Sequence, residues 1–546
     1  MGDTSVLTRR AFIEGAAAWA MVAALRAPGN WRTPTSFRQS GTLALDSELP
    51  EVTIARLQAL YAERKYSVRQ VTEWYLARIA HFDPVYRAMI HVDRVGALRT
   101  AAELDRSSAP HGPLWGVPVV IKSNTSVKGL VTSAGWSGYL IPGHELTAPR
   151  DAPIVARLRR AGAVILGQTN MPDFAASDTN ISSAFGRTGN AYDWRASPGG
   201  SSGGTVTAVT ANFCVFGTGT DTGNSIRMPA ATSGVVGVLP TRGLTSIAGI
   251  HPLDWLLDNT GPIARTVTDA ATALTVLAGE DPADFRTSGA GKLAQPGPYT
   301  RYLNADALRG RRLGVPAFIV KAGSETIGGP PLRTETRVLF DKALDALRHA
   351  GAEVIVDDSL LPDSFERLTE AVNTAPYISE GLEHFLRDFG PADYHSALEY
   401  ARVIGAPIPL LMRSNPRVAA ALIESDPRAE SLFWRPQRDA LAAYDQAFQR
   451  FSLDALVYPA IQMPPNDELL PLQEGQRSSG PHSNTAWVNR IGVPAVSVPG
   501  GQYDNGFPFG IEFSGRLWRD GDLLGLAFAF EQATKFRRPP VLVDHR

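Results

Sequence analysis

Hydrophobic and polar residues follow helical and strand periods in turn along most of the chain. Helical spacing appears early, in TIARLQALYAERK and SVRQVTEWYLARIAHF, with Ser67 placed to cap the second helix. A short β-branched run, VPVVI (Val117–Ile121), predicts a buried strand. The segments DAPIVARLRRAG and AVILG then predict a helix, a glycine stop and another strand.

The same alternation continues toward the C-terminus. TVTAVTANFCVFG predicts a buried helix that runs into a strand, and TVTDAATALTVLAG predicts a further helix. Strand, helix and strand are predicted in RRLGVPAFI, RTETRVLFDKALDALRHAG and AEVIVDD; late strands in LDALVYPA, VPAVSVPGG and FPFGIEFSG; and a closing helix in RDGDLLGLAFAFEQATKF. We therefore predict an α/β fold, with a mixed central β-sheet covered by helices on both faces.

The domain organisation follows from where these patterns start and change. We expect one large domain over residues 48–540. Helical patterns broken by prolines dominate Pro362–Arg450, and we predict a helical elaboration at about residues 330–450, beside the functional site.

The first residues resemble an export signal. Arg9 and Arg10 are followed by Phe12, Ile13 and an alanine-rich apolar segment too short to span a bilayer permanently. This order resembles a twin-arginine signal over residues 1–29, which predicts export to a bacterial periplasm or the exterior. An ordinary amphipathic helix is the alternative. No other apolar run reaches spanning length, so we expect no stable membrane span.

Composition narrows the choice of partners. The 546 residues are 44% hydrophobic and 20% charged, with a net charge of −1, which is ordinary globular composition and gives no reason to expect a nucleic acid or an anionic membrane. Cys214 is the only cysteine and lies in an apolar run, so we expect a buried hydrophobe and no internal disulfide. The sequence does not indicate an oligomeric state.

Two glycine-rich loops, ASPGGSSGG (Ala196–Gly204) and GTDTGNSIRMP (Gly219–Pro229), contain serines that could react, but no histidine lies near them. A lysine is the candidate base. Lys122 ends the apolar run GVPVVIK, and a base near neutral pH needs a pKa about three units below that of free lysine, or about 4 kcal/mol. Burial without a carboxylate partner can supply this shift. From position alone, a lysine that extends to solvent is equally compatible.

Four segments in order, GPLWGVPVVIKSN, GQTNMPDFA, SPGGSSGGTVTAV and GTDTGNSIRMPAATSGVVGVLPTRG, resemble the amidase signature family, with the signature core at about residues 110–270. YLARIAHFDPVYRAMIHV upstream, and GPIARTVTDAA and GVPAVSVPGGQYDNGFPFGIEFSGRLWRDGDLL downstream, extend the resemblance. It covers most of the chain from about Leu49, except Pro282–Arg450.

The resemblance implies a serine hydrolase with a Ser–Ser–Lys relay. By position in the motifs, Lys122 matches the base, Ser201 the bridging serine and Ser225 the nucleophile. A proton would then pass from Ser225 through Ser201 to Lys122. The family also implies a cis peptide bond before the bridging serine, here after Gly200.

The turn before Ser225 matches the oxyanion hole of the family, formed by the backbone N–H groups of Thr222, Gly223 and Asn224. Residues that hold the loop rather than react are predicted at Asp221, Arg227 and Ser202. For Arg227, a plain surface or structural ion pair is the alternative.

Three positions depart from the usual pattern of the family. Asn224 replaces a glycine, which asparagine can do if the backbone is left-handed. Ser123 replaces an aspartate after the lysine, which would ease deprotonation of Lys122 but leaves open what orients it. Trp115 replaces the histidine of GPLHG, and we expect it to alter a pocket wall or its support.

Other classes of protein remain possible from the sequence. Ser201 also fits the G-x-S-x-G elbow of α/β-hydrolases, which would need a histidine partner; the histidines available are His251, His384, His395 and His482. A phosphate-binding loop lacks the Gly-Lys-Ser/Thr motif. A non-catalytic exported binding protein is a further alternative, and so is an amidotransferase subunit that supplies ammonia to a partner, although export would argue against the latter.

We therefore expect an exported amidase. It would hydrolyse an aryl, alkyl or peptide carboxamide, a small-molecule substrate, to an acid and ammonia or an amine through an acyl-enzyme on Ser225. No histidine pair has metal-ligand spacing with a third ligand nearby, so we expect no metal and no cofactor.

Overall fold

A computed structural model describes residues 45–107, 112–321, 330–412, 420–476 and 480–544. The strands in chain order are β1 (Met89–Val92), β2 (Pro118–Lys122), β3 (Val164–Thr169), β4 (Ile181–Ser182), β5 (Gly186–Arg187), β6 (Phe216–Asp221), β7 (Val236–Leu239), β8 (Asn259–Ala264), β9 (Arg312–Val315), β10 (Glu353–Val356), β11 (Ala455–Pro459), β12 (Ala495–Gln502) and β13 (Pro508–Ser514).

The α-helices in chain order are α1 (Ile54–Ala62), α2 (Val68–Tyr86), α3 (Arg94–Arg106), α4 (Pro153–Arg160), α5 (Gly203–Thr210), α6 (Arg227–Thr232), α7 (Val267–Leu277), α8 (Ala290–Leu293), α9 (Ala317–Val320), α10 (Thr334–His349), α11 (Asp363–Glu370), α12 (Ile378–Phe389), α13 (Ala397–Ile404), α14 (Arg435–Arg450), α15 (Leu469–Gln473), α16 (Trp487–Ile491) and α17 (Asp520–Thr534).

Among the described residues, eleven strands form one mixed sheet in the order β1-β3-β2-β6-β8-β7-β12-β13-β11-β9-β10. The pairs β2–β3, β2–β6, β9–β10 and β9–β11 are parallel, and the remaining pairs are antiparallel. Every residue of β2, β3, β6, β7, β8, β11 and β13 is buried. Both faces of the sheet are therefore covered, which confirms the predicted fold class.

The chain divides into two units, residues 1–48 and 49–546. Of the first unit the structure describes residues 45–48, which form one turn of helix. The export signal predicted over residues 1–29 lies outside the described residues. No described helix has the length and apolar character that crossing a bilayer requires.

Local signals account for the helix boundaries. Ser67 caps α2 as predicted: its hydroxyl accepts the N–H of Gln70, and the Gln70 side chain accepts the N–H of Ser67 at 2.9 Å. The helix ends at Tyr86 and is followed by Arg87 in a left-handed conformation, with a φ of 53°. The chain then enters β1, so the MIHV segment at the end of YLARIAHFDPVYRAMIHV is an edge strand.

One central strand has a composition that does not predict a strand. β8 contains Gly261 and Pro262, residues that usually weaken or exclude a central strand. The structure nevertheless pairs β8 with β6 on one side and β7 on the other, with Pro262 opposite Thr218. A Cβ on Gly261 would lie 2.0 Å from the carbonyl oxygen of Val238, so this close strand pairing requires glycine.

The helices of the elaboration pack on the segments around the candidate site. Phe385 and Tyr400, from α12 and α13, join Trp136, Tyr139 and other apolar residues in one buried cluster. The Phe385 ring also lies 5.1 Å from the ring of His251. This cluster is therefore one contact between residues 330–450 and the segments around the candidate site.

We expect Phe385→Ala to lower the free energy of unfolding by about 3–5 kcal/mol, because it opens a cavity in a buried aromatic cluster. Leu398→Ala is the matched control, since Leu398 on α13 is 60% exposed, and we expect it to change stability by less than about 0.5 kcal/mol. Urea unfolding of both variants checks this, and equal effects would contradict the packing described.

Candidate active site

Lys122 is the last residue of β2 and is completely buried. Its Nζ lies 2.8 Å from Ser201 Oγ, 3.1 Å from Ser202 Oγ and 2.8 Å from Thr220 Oγ1. Lys122 forms no ion pair with any described carboxylate. Hydroxyl groups of the two loops, and no described carboxylate, therefore contact the amine.

Burial lowers the pKa of Lys122 to about 7, and the more distant carboxylates of Asp221 and Asp258 oppose this shift. An amine with such a pKa is substantially uncharged near neutral pH, and a neutral amine has a lone pair that can accept a proton. Of the two possibilities that the sequence left open, the structure shows the buried lysine, not the solvent-exposed one.

The loop that carries Ser201 is packed tightly against β6. Ser201 is fully buried, the Gly200–Ser201 peptide bond is cis as the resemblance implied, and α5 begins two residues later at Gly203. A Cβ on Gly219 of β6 would lie 2.9 Å from Ser202 Oγ. Gly219, the first residue of the GTDTG segment, therefore allows the two serine loops to approach each other.

Ser225 lies beside this loop, after the end of β6. Its carbonyl oxygen accepts the N–H of Ser202 at 3.1 Å, and the residue retains 6% exposure. In the described part of the chain, the Ser225 hydroxyl has no hydrogen-bonding partner, and the two serine loops meet through this backbone contact and through the Ser202 hydroxyl, which donates to Thr220 O at 3.2 Å. The structure brings Lys122 and Ser201 into direct contact and places Ser225 next to them.

The turn from Thr222 to Ser225 presents backbone donors without acceptors. None of the four N–H groups forms a hydrogen bond with a described residue. The carbonyl groups of the turn are occupied: Arg227 donates to Gly223 O at 2.8 Å, and the N–H of Met228 donates to Asn224 O at 2.8 Å. Uncommitted N–H groups on a fixed turn are suited to binding an oxygen that gains negative charge.

A buried ion pair fixes this turn from below. Arg227 and Asp221 are both fully buried and hydrogen-bond through Nε and Oδ2 at 3.1 Å. Arg227 also contacts Glu512 at 2.9 Å and Asn489 Oδ1 at 2.8 Å. Arg227 therefore forms structural ion pairs, and it also anchors the turn through its hydrogen bond to Gly223 O.

Three polar residues near the site were not predicted from the sequence. Thr220 contacts Lys122 directly, and Asn124 donates to Thr220 Oγ1 at 3.1 Å. Asp258 accepts the hydroxyl of Thr222 at 2.5 Å, together with the N–H groups of Leu253 and Asp254. Thr220 could have been found because it lies within the GTDTG segment, but nothing in the sequence indicates that Asp258 folds back onto Thr222.

The departures from the family pattern now have locations. Asn224 projects its amide toward Asp178 Oδ1 at 3.2 Å and Ser483 Oγ at 2.9 Å. Ser123 is fully buried, and the hydroxyl contacts of Lys122, not a carboxylate after it, orient the amine. Trp115 packs edge-on against Tyr61 at 5.3 Å, at the opposite end of β2 from Lys122. Trp115 thus packs away from the lysine, and its effect on a pocket wall or its support stays a prediction.

The histidines do not complete an alternative serine site. The ring of His251 contacts Tyr139 OH at 2.7 Å, and burial lowers its pKa to about 3. His384 lies against Trp255, and His395 donates its backbone N–H to Glu399. Within the described ranges, no histidine contacts Ser201 or Ser225. The α/β-hydrolase alternative therefore lacks its base, and the basic side chain at Ser201 is Lys122.

The fold and this site agree with the relatives of the chain. The model of the family described as Amidase matches residues 70–524. A glutamyl-tRNA(Gln) amidotransferase subunit from Thermoanaerobacter pseudethanolicus is 31% identical over 515 residues, covering 90% of this chain and 98% of the relative. The chain therefore belongs to the amidase signature family.

Solved structures point to the same family. The native peptide amidase of Stenotrophomonas maltophilia is 32% identical, covers 90% of this chain and 99% of its own, and superposes with a TM-score of 0.75. An amidase family protein of Bacillus anthracis is 27% identical, covers 93% and 96%, and has a TM-score of 0.76. The chain is thus an enzyme of the type that hydrolyses amide C–N bonds.

We expect the burial of Lys122 to make the free energy of unfolding depend on pH. Between pH 7 and about pH 10 the unfolded chain binds a proton that the folded chain does not, so the free energy of unfolding rises with pH. Relative to Lys122→Met, the wild type should gain about 1 kcal/mol per pH unit. Denaturant unfolding of both proteins at pH 7, 8 and 9 measures this, and a constant difference would show that the amine is charged when folded.

Proposed function

We propose that this protein hydrolyses a carboxamide to a carboxylic acid and ammonia or an amine, through an acyl-enzyme on Ser225. The observation that carries the proposal is the buried amine of Lys122, 2.8 Å from Ser201 Oγ and without a carboxylate partner. Such an amine can accept a proton near neutral pH, which the serine hydroxyls cannot do for each other.

The steps follow from the order of the groups. Ser225 Oγ attacks the carbonyl carbon while its proton passes to Ser201 Oγ and the proton of Ser201 passes to Lys122 Nζ. Collapse of the tetrahedral intermediate breaks the C–N bond, and Ser201 protonates the departing nitrogen as it regains a proton from Lys122. Water then attacks the acyl-enzyme by the same relay and releases the acid.

The turn from Thr222 to Asn224 supplies the oxyanion hole in this proposal. Its uncommitted N–H groups would bind the carbonyl oxygen as charge develops, and one such donor is typically worth about 3 kcal/mol of the barrier. Asp221, Arg227 and Ser202 would act as positioning residues: the first two hold the turn, and the third joins Lys122 to the backbone of Ser225.

The substrate in this proposal is a small molecule with a terminal carboxamide, a choice supported by the likeness to the peptide amidase of Stenotrophomonas maltophilia. The test is a screen of primary and secondary amides with alkyl, aryl and peptide acyl groups, using the isolated chain. Release of acid and ammonia from at least one class is the expected result.

A second candidate is an amidotransferase-type subunit, which would pass the released ammonia to a partner. The relatives named as subunits of glutamyl-tRNA(Gln) amidotransferase support it. The same screen separates the two, because a free-standing amidase turns over without a partner. Export of the protein stays a prediction from Arg9, Arg10 and the apolar segment after them.

We expect Ser225→Ala to abolish turnover and Lys122→Ala to reduce kcat by several orders of magnitude, since one variant removes the nucleophile and the other removes the proton acceptor. Ser137→Ala is the control, because Ser137 is exposed. Steady-state kinetics on the best amide of the screen provide the measurement. A Lys122→Ala enzyme with near-normal rates at pH 7 would rule out the relay.

We expect kcat/KM to fall as the pH decreases below about 7, with one proton taken up, because the pKa of Lys122 is lowered to about 7 by burial. Protonated Lys122 has no lone pair and cannot accept the proton from Ser201. A profile of kcat/KM from pH 5 to 9 measures the acid limb, and a rate that stays constant from pH 8 down to pH 5 would contradict the assignment.

A further inference from the structure

The carboxylate of Asp178 lies beside the turn that leads to Ser225. Asp178 and Asn224 are both partly exposed, and the Asn224 amide joins them by donating to Asp178 Oδ1 at 3.2 Å. Asn224 is the residue directly before Ser225. The side chain of Asn224 therefore links the Asp178 carboxylate to the backbone directly before the proposed nucleophile.

The backbone holds Asp178 in place on two sides. A Cβ on Gly200, the residue before Ser201, would lie 2.7 Å from Ser177 O and 3.1 Å from Asp178 C. A Cβ on Gly480 would lie 2.7 Å from both Cβ and O of Asp178. Asp178 is thus fixed between the bridging-serine loop and the segment that carries Ser483, and its carboxylate has a defined position at the site.

Asp178 has few partners compared with the other carboxylates of the site. Asp221 is paired with Arg227, and Asp258 accepts three donors. Among the described residues, Asp178 accepts one hydrogen bond, from a neutral amide, and Oδ2 accepts none. Burial raises its pKa, and the Asn224 amide and the imidazole of His482 oppose this shift. No lysine or arginine in the described ranges forms an ion pair with it.

A partly desolvated carboxylate without a lysine or arginine partner is costly unless a ligand supplies the charge. We propose that Asp178 is a specificity-determining residue that binds a protonated amine of the substrate through Oδ2 while Asn224 holds Oδ1. The proposal depends on the proposed amidase function and narrows its substrate class to amides that carry an ammonium group.

The competing interpretation is that Asp178 only orients the Asn224 side chain and, through it, the oxyanion turn. The two differ in what the charge does. A residue that only positions Asn224 affects every amide alike, whereas a residue that binds an ammonium group affects charged substrates more than neutral ones. Asp178→Asn separates them, because its side-chain oxygen can still accept from Asn224 but carries no charge.

The experiment uses amides that share a hexanoyl chain: norleucinamide and 6-aminohexanamide, each with one ammonium group, and neutral hexanamide. We expect the full chain to prefer at least one charged amide over hexanamide in kcat/KM. We expect Asp178→Asn to reduce that preference about ten- to hundredfold, the usual value of a hydrogen bond to a charged group. Asp467→Asn is the control, since this carboxylate pairs with Arg195 at the surface.

A binding measurement keeps the test independent of turnover. In the Ser225→Ala background, calorimetry gives the dissociation constants of the three amides with and without Asp178→Asn. Weaker binding of the charged amides alone supports the proposal. An equal loss for all three, or a charge preference that Asp178→Asn leaves intact, overturns it. Amide hydrolysis without any charge preference would overturn this inference and leave the proposed function standing, whereas Ser225-independent or absent hydrolysis of every amide would remove the proposed function itself.

Discussion

The structure of the site depends on keeping an amine out of water without giving it a counter-ion. An ammonium group is expensive to bury, so it is ordinarily paired, exposed or deprotonated. Here β2 carries Lys122 into the interior, and hydroxyl groups of Ser201, Ser202 and Thr220 surround its nitrogen. Hydroxyls satisfy a neutral amine but do not neutralise a charged one. Burial thereby keeps a substantial fraction of the amine uncharged near neutral pH, where it can accept a proton.

A second buried cluster, next to the turn before Ser225, holds a charged group instead of a neutral one. Arg227 stays charged, and two carboxylates, Asp221 and Glu512, compensate it within the same interior. This cluster lies close to Lys122 without contacting it, and Asp221 shifts the lysine pKa only against the dominant effect of burial. Arg227, which stays charged, and Lys122, which titrates, are therefore kept apart. This separation allows the ion-pair cluster to hold the turn rigid while the neighbouring lysine accepts a proton.

Much of the fold was predictable because its central strands have unmistakable patterns. VPVVIK forms β2 where its β-branched run indicated, and the helix-to-strand passage through Cys214 forms α5 and β6. Burial raises the pKa of the Cys214 thiol to about 12, which suits the inert hydrophobe expected there. β8 was not predictable from its composition. Gly261 allows close approach to β7, and Pro262 lies opposite β6, but both pairings exist only in the assembled sheet.

For the site, the resemblance to the amidase signature family was enough to predict that Lys122, Ser201 and Ser225 lie beside one another. It could not supply partners distant in sequence. Asp258 reaches Thr222 across 36 positions, and Asn489 reaches Arg227 across 262. Such contacts depend on how strands are ordered in the sheet, and no local period encodes that order. Asn224 was noticed as an exception, but its partner Asp178 appears only in three dimensions.

The long reach of the Arg227 cluster also sets when the site can exist during synthesis. Arg227 needs Asn489 and Glu512, which belong to the last tenth or so of the chain to leave the ribosome. Lys122, Ser201 and Ser225 are all made long before that point. Ser225 is therefore translated early, and the turn that positions it is completed only when the last strands are made, so a nascent chain holds these residues without the geometry of the finished site.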